Sequence, residues 1–179
     1  IVVAKNDRAH KSLADQFEAR MVTKEYFAIV AGQPDRDRDL IDLPIGFHPH
    51  QREKMAVRAN HPESRPAQSF YEVIERFDGF STVRILPKTG RTHQIRVHLA
   101  AIGCPVLCDR AYGGRAELTR GELRRQPDDE VLLGRQALHA RRLVLAHPDT
   151  GEPLVLDAPL PTDLARVVDE LRQWRTLHP

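Results

Sequence analysis

Asp78-Gly79 separates two runs that read as the strands of one hairpin. Gln68 to Phe77 alternates Phe70, Glu72, Ile74 and Arg76 on one face with Tyr71 and Val73 on the other. Phe80 to Leu86 supplies a partner rich in β-branched residues. Asp-Gly tolerates the positive φ angles of a tight turn, so these strands are expected side by side and antiparallel. Pro87 stops the second strand. A helical pattern then begins, with Ile95, Leu99 and Ile102 at helical spacing and Val97 and Ala100 between them. Gly103 and Pro105 end it. Arg91 to Gln94 therefore stand where a strand hands over to a helix, with Gly90 expected to give the turn its backbone freedom. Free N–H groups at a helix start favour anions, phosphate included. Arg91, Thr92, His93, Gln94 and Arg96 make this junction more polar than a plain connection requires.

Around that hairpin the chain reads as strands joined by short turns, with helices at intervals. Ile1 to Ala4 reads as a short buried strand. Asp7 is placed to cap a helix whose apolar face is His10, Leu13, Ala14, Phe17 and Met21. Lys24 to Ala31 reads as a strand ended by Gly32, and Leu40 to Gly46 as a strand or strand pair broken at Pro44. Met55 to Ala59 reads as a short strand after a loop rich in histidine and positive charge. Arg115 to Gly134 reads as a charged surface excursion with a helical turn around Glu117 to Arg125. Ala137 to His147 and Pro153 to Ala158 read as strands. Leu164, Val167, Val168, Leu171 and Trp174 form one stripe of a last helix capped by Thr162 or Asp163. The expected architecture is α+β: a mixed, largely antiparallel central sheet with flanking helices, one domain over 1–179. No GxGxxG or GxxxxGK[ST] motif argues for a dinucleotide fold or a P-loop.

Charge is informative only by location. The chain holds 27 Lys and Arg against 25 Asp and Glu, a net +2 that is too small to imply nucleic acid by itself. Around the strand–helix junction, however, Lys88, Arg91, Arg96, Arg110 and Arg115 gather. Cys104 and Cys108 make neither a disulfide framework nor a zinc site, which fits a reducing, cytoplasmic compartment. No apolar run approaches membrane-spanning length, so no membrane partner is expected. The first residue is Ile within an apolar run, which reads as a fragment of a longer protein. The pairs His48/His50 and His93/His98 invite a metal-dependent hydrolase reading, but no ligand spacing accompanies them and no metal is expected. Read alone, Tyr26 is a core aromatic sharing a face with Ala28 and Val30, and Arg91 a solvated turn residue.

Five segments in order, VVAKNDRAHKSLADQF, KEYFAIVAG, PIGFHPHQREKMAV, GRTHQIRVHLAAIGCPVLCDRAYGG and RQALHARRLVLAHP, resemble the RluA-type RNA pseudouridine synthases. The resemblance implies isomerisation of uridine to pseudouridine in structured RNA (rRNA or tRNA), with no cofactor, in a protein expected to be a monomer. It implies that Tyr26 stacks on a flipped-out base and exchanges protons with it, and that Arg91 pairs with a catalytic carboxylate. Substrate contacts are implied at Lys24, Arg52, Lys54, Thr89, His93, Gln94, Arg96 and Leu138, the last as the apolar wall opposite Tyr26. The nucleophile implied is an Asp in a His-Arg-Leu-Asp segment, which falls just before Ile1 and has no substitute in Asp7. The chain as given is therefore expected to bind and not to isomerise. The alternative is a non-catalytic RNA-binding relative.

Overall fold

The computed structural model describes residues 1–176; the last residues of the expected 1–179 span lie outside it. Its element order is α1 (Asp7–Glu18), β1 (Thr23–Ala31), β2 (Arg38–Asp42), β3 (Ile45–Phe47), β4 (Met55–Val57), β5 (Gln68–Phe77), β6 (Phe80–Pro87), α2 (Gln94–Ala101), β7 (Leu118–Thr119), α3 (Arg120–Arg124), β8 (Val131–Leu133), β9 (Leu138–Ala146), β10 (Pro153–Asp157) and α4 (Thr162–Trp174). Six strands form the central sheet in the order β10-β9-β1-β6-β5-β2, and each neighbouring pair is antiparallel. The α+β expectation holds, and so does the β5–β6 hairpin, closed by Gly79 at φ 81°. β1 and β6 lie at the centre. Phe27, Ala28, Ile29 and Val30 are all buried, so β1 is covered on both faces and reads as a continuous apolar run.

The ladders on either side of the regular β1–β6 pair each carry a bulge. In β5 the register slips between Val73 and Glu75, so the ten-residue alternation read from the sequence breaks at Ile74, which is exposed. In β9 it slips opposite Glu25 and Tyr26, leaving Arg141 unpaired beside the Tyr26 strand position. Such an extra residue bends its strand and re-aims the side chains around it.

Several expectations are corrected. Ile1 to Ala4 is not a strand, and Ile1 and Val3 are exposed. Asn6, not Asp7, caps α1, its side chain accepting from Ala9 N at 2.8 Å. The expected apolar face of α1 is not the docked one: Phe17 and Met21 are exposed, while Ala9 and Gln16 are buried. Gln16 docks the helix through its amide, donating to Ala146 O and accepting from Ala146 N. Residues 115–134 are not a surface excursion. β7, α3 and β8 fold back on α4 and bury Leu118, Leu123, Leu132 and Leu133 in the main core. Pro161 takes the N-cap position of α4 with no side-chain cap, and Trp174 is partly exposed with the Arg124 guanidinium 4.9 Å from its ring centre. Among the described residues no helix is long and apolar enough to cross a membrane.

Candidate active site

The turn between β6 and α2 is built from inside by one buried amide. Gln94 Nε2 donates to Gln68 O at 2.9 Å and to Ser69 Oγ at 3.0 Å. Its Oε1 accepts from the Thr89 hydroxyl at 2.6 Å and from Arg91 N at 3.0 Å. Thr89 Oγ1 also accepts from Gln68 N. All four capacities of the amide are met, and the backbone of Arg91 is fixed relative to β5. The network continues inward. Ser69 Oγ lies 2.9 Å from His98 Nδ1, and His98 Nε2 lies 2.9 Å from Leu43 O. The Leu43 carbonyl only accepts, so the His98 proton sits on Nε2 and Nδ1 accepts from Ser69. Burial holds the His98 pKa below 6.5, against opposing contributions from the Leu43 carbonyl and Asp42.

Gly90 is not the residue with unusual backbone. His93 is, at φ 55°, a left-handed conformation that costs a residue with a Cβ about 1 kcal/mol. A Cβ on Gly90 would lie 3.6 Å from Lys24 Nζ, an ordinary contact, so neither backbone nor space requires glycine there. Burial, then Arg20, lowers the Lys24 pKa from 10.5. His93 is held by Tyr112, whose hydroxyl lies 2.8 Å from His93 Nδ1 and accepts from Met55 N at 2.9 Å. Burial, then the charge of Arg96, holds His93 below 6.5. Arg96 binds Asp109 through two parallel bonds of 2.6 and 2.7 Å and lies 4.8 Å from the Tyr112 ring centre. Burial alone would raise the Asp109 pKa, but the Arg96 hydrogen bonds and charge and the Tyr112 and Ala111 amides bring it below 3.8.

These supports surround a cavity of about 200 Å³. β1 contributes Lys24 and Tyr26, β9 contributes Leu138, and the β6–α2 turn contributes Thr89, Gly90, Arg91, His93, Gln94 and Arg96. Eight of the ten residues singled out from the sequence therefore meet at one place. Thr89, Gln94 and Arg96 have their polar groups engaged within the protein. Lys54 lines a neighbouring cavity with Arg96 and Asp109, and Arg52 is exposed on the loop between β3 and β4. His48 and His50 stand on that loop as well, their ring centres 6.2 Å apart. Among the described residues no group of three or more His, Cys, Asp or Glu side chains gathers as a metal site would.

Burial raises the Tyr26 hydroxyl above 10, so it carries its proton at neutral pH. Arg91 Nε donates to Pro66 O at 3.3 Å, and among the described residues no carboxylate pairs with it. The site thus offers a half-buried aromatic face, an apolar wall and a guanidinium held by its backbone. Sequence reasoning gave no role to Ser69, Asp109 or Tyr112, and weighed His98 only as half of a metal-like pair. One signal was present: Ser69 shares the inward face of Tyr71, and an inward hydroxyl needs a partner.

The RNA pseudouridylate synthase family model matches residues 1–101. Ribosomal large subunit pseudouridine synthase D of Pasteurella multocida (strain Pm70) is 40% identical over 178 residues, covering 99% of this chain and 54% of that protein. The same-named protein of Pseudomonas aeruginosa is 43% identical over 175 residues, covering 98% of this chain and 53% of that protein. The chain spans about half the length of the curated relatives it matches. The solved structure of human RNA pseudouridylate synthase domain containing 1 superposes with a TM-score of 0.70 at 29% identity, covering 98% of this chain and 76% of that one. With its cavity built on the strand–helix junction and a family model spanning more than half of its 179 residues, the chain belongs to the RNA pseudouridylate synthase family.

Proposed function

We propose that the protein isomerises uridine to pseudouridine in RNA, ribosomal RNA being the favoured class on the names of its relatives. The observation that carries this reading is the meeting of Tyr26, Leu138 and Arg91 around one cavity. A uridine flipped from its stack enters between the Tyr26 ring and Leu138, the flip costing a few kcal/mol. Stacking on one aromatic ring returns roughly 1–3 kcal/mol. The bond from the sugar to the base nitrogen breaks, the base turns, and the sugar rejoins at carbon. The nitrogen gains a proton and the carbon loses one. Tyr26 holds its proton at neutral pH, so its hydroxyl donates to the base before it accepts. Arg91 suits a carboxylate partner, because a guanidinium presents two parallel donors and keeps its partner ionised.

That carboxylate is the Asp implied before Ile1. Ile1 and Val2 line, with Lys24 and Tyr26, a second cavity of about 440 Å³. Residues joined to Ile1 would therefore start beside the Tyr26 strand. In this proposal residues 1–179 form one domain that binds without turnover unless the Asp is supplied. The test is tritium release from 5-labelled uridine in unmodified RNA. Full-length protein releases tritium, while Arg91→Ala and Tyr26→Phe each cut turnover by about 10²-fold or more and stay folded. Wild-type rates in both variants would refute the assignment. RNA binding by the unaltered full-length protein with no release would favour a binding module instead.

A further inference from the structure

A larger groove, of about 720 Å³, opens beside the Tyr26 cavity, and Arg91 lines both. One wall is the β3–β4 ribbon, presenting Phe47 and Met55; the other is the segment from Pro62 to Pro66. The two walls are fixed to each other. Ile45 and Arg65 exchange backbone hydrogen bonds of 3.0 and 2.9 Å. Gly46 lets Ser64 pack against the ribbon, since a Cβ there would fall 2.8 Å from Ser64 Oγ. The Tyr112 hydroxyl holds the ribbon from behind at Met55 N. The groove is therefore formed before anything enters it. Its volume lies within the ~300–1,000 Å³ of small-ligand sites.

Phe47 stands at this groove with 61% of its surface exposed. An aromatic ring on a hydrogen-bonded ribbon, left uncovered by the described residues, offers a stacking face at little ordering cost. Arg65 and Arg91 add positive charge against the single acidic residue of the lining, Glu63. A ring for a base, a guanidinium for a phosphate, and Arg91 as a wall common to this groove and the Tyr26 cavity together define one occupant.

We propose that this groove receives an unpaired nucleotide adjacent to the target uridine, its base stacked on Phe47 and its phosphate facing Arg65. The proposal rests on the uridine-isomerase reading and extends it. The protein then holds two successive unstacked nucleotides, and its substrates are loops or bulges rather than continuous duplex.

The test is a double-mutant cycle with full-length protein. The probe is an unmodified large-subunit ribosomal RNA transcript, trimmed to the stem-loop around the uridine the protein converts. Phe47→Ala is expected to weaken affinity about tenfold, measured by fluorescence anisotropy. Phe47→Trp, which keeps a stacking face, retains affinity. Removing the base on one side of the uridine also weakens binding, and Phe47→Ala adds no further loss to that RNA. Unchanged affinity in Phe47→Ala overturns the groove while conversion still supports the isomerase reading. Losses that multiply independently for base removal on either side of the uridine also overturn it. Neither conversion nor binding by the unaltered protein overturns both.

Discussion

At the scale of the residue, the site depends on groups that do not face the cavity. Gln94 satisfies Thr89, Arg91, Gln68 and Ser69 at once, and His98 closes the chain at Leu43. A buried donor or acceptor left without a partner costs about 1–3 kcal/mol. Gln94→Ala strands several, so the expected loss is roughly 2–4 kcal/mol in urea unfolding. Catalysis should fall with it, because the Arg91 backbone loses its anchor. Arg96 and Asp109 make the matching case for charge: Asp109 is 1% exposed and wholly committed to Arg96 and the Ala111 and Tyr112 amides. Removing one partner of such a buried pair leaves the other uncompensated, at about 3–5 kcal/mol. Arg96→Ala is therefore expected to destabilise more than Arg91→Ala, whose side chain makes one bond to a carbonyl. Thermal unfolding of the two variants compares them directly.

At the scale of the element, short pieces are held by side chains that imitate backbone. Gln16 on α1 pairs with both backbone groups of Ala146 at the end of β9, doing for the helix what a neighbouring strand would do. Tyr112 does the same for the three-residue strand β4, whose Met55 N–H it caps. Tyr112→Phe keeps the ring beneath Arg96 and removes both hydroxyl bonds. The Met55 amide should then exchange with solvent at least several-fold faster, while amides of β1 and β6 keep their protection. Equal exchange at Met55 would mean that the ribbon is held by its packing alone. α3 is anchored differently: Arg124 makes bonds of 2.8 and 2.6 Å to Glu170 on α4, and Leu123 enters the core below them.

At the scale of the whole molecule, one apolar cluster runs from β1 to α4, which predicts a single cooperative unfolding transition for this unit. Its pH dependence has two stages. His98 and His93 are both depressed below 6.5, so the folded state binds fewer protons there than the unfolded state. Their stabilisation is complete above pH 6.5 and is lost as pH falls below it. Asp109 and Glu170 are depressed below 3.8 and 4.5, so their contribution holds above those values and is lost on further acidification. Unfolding free energies measured from pH 7 to 5 should decline in the wild type and decline less steeply in His98→Asn. Equal slopes would show that His98 titrates alike in both states.

The α+β class, the β5–β6 hairpin, β1, β9 and the helix after Pro87 were legible in the sequence from local signals: alternation, turn chemistry and helical spacing. The residues around the cavity were legible only through the resemblance of five ordered segments to a known family, since alone Tyr26 reads as core and Arg91 as a solvated turn residue. What the sequence did not carry is decided between elements. Which face of α1 docks depended on whether a neighbour offered a partner, and Gln16 found one in β9 where Phe17 did not. Leu118, Leu123 and Leu133 lie in a charged stretch and became core only because α4 folds over them. The bulge at Arg141, the satisfied network of Gln94 and His98, and the pairing of Arg96 with Asp109 join residues far apart in the chain. No spacing rule announces such contacts, because distance along the chain sets neither hydrogen-bond geometry nor burial; the packing of the sheet against its helices does.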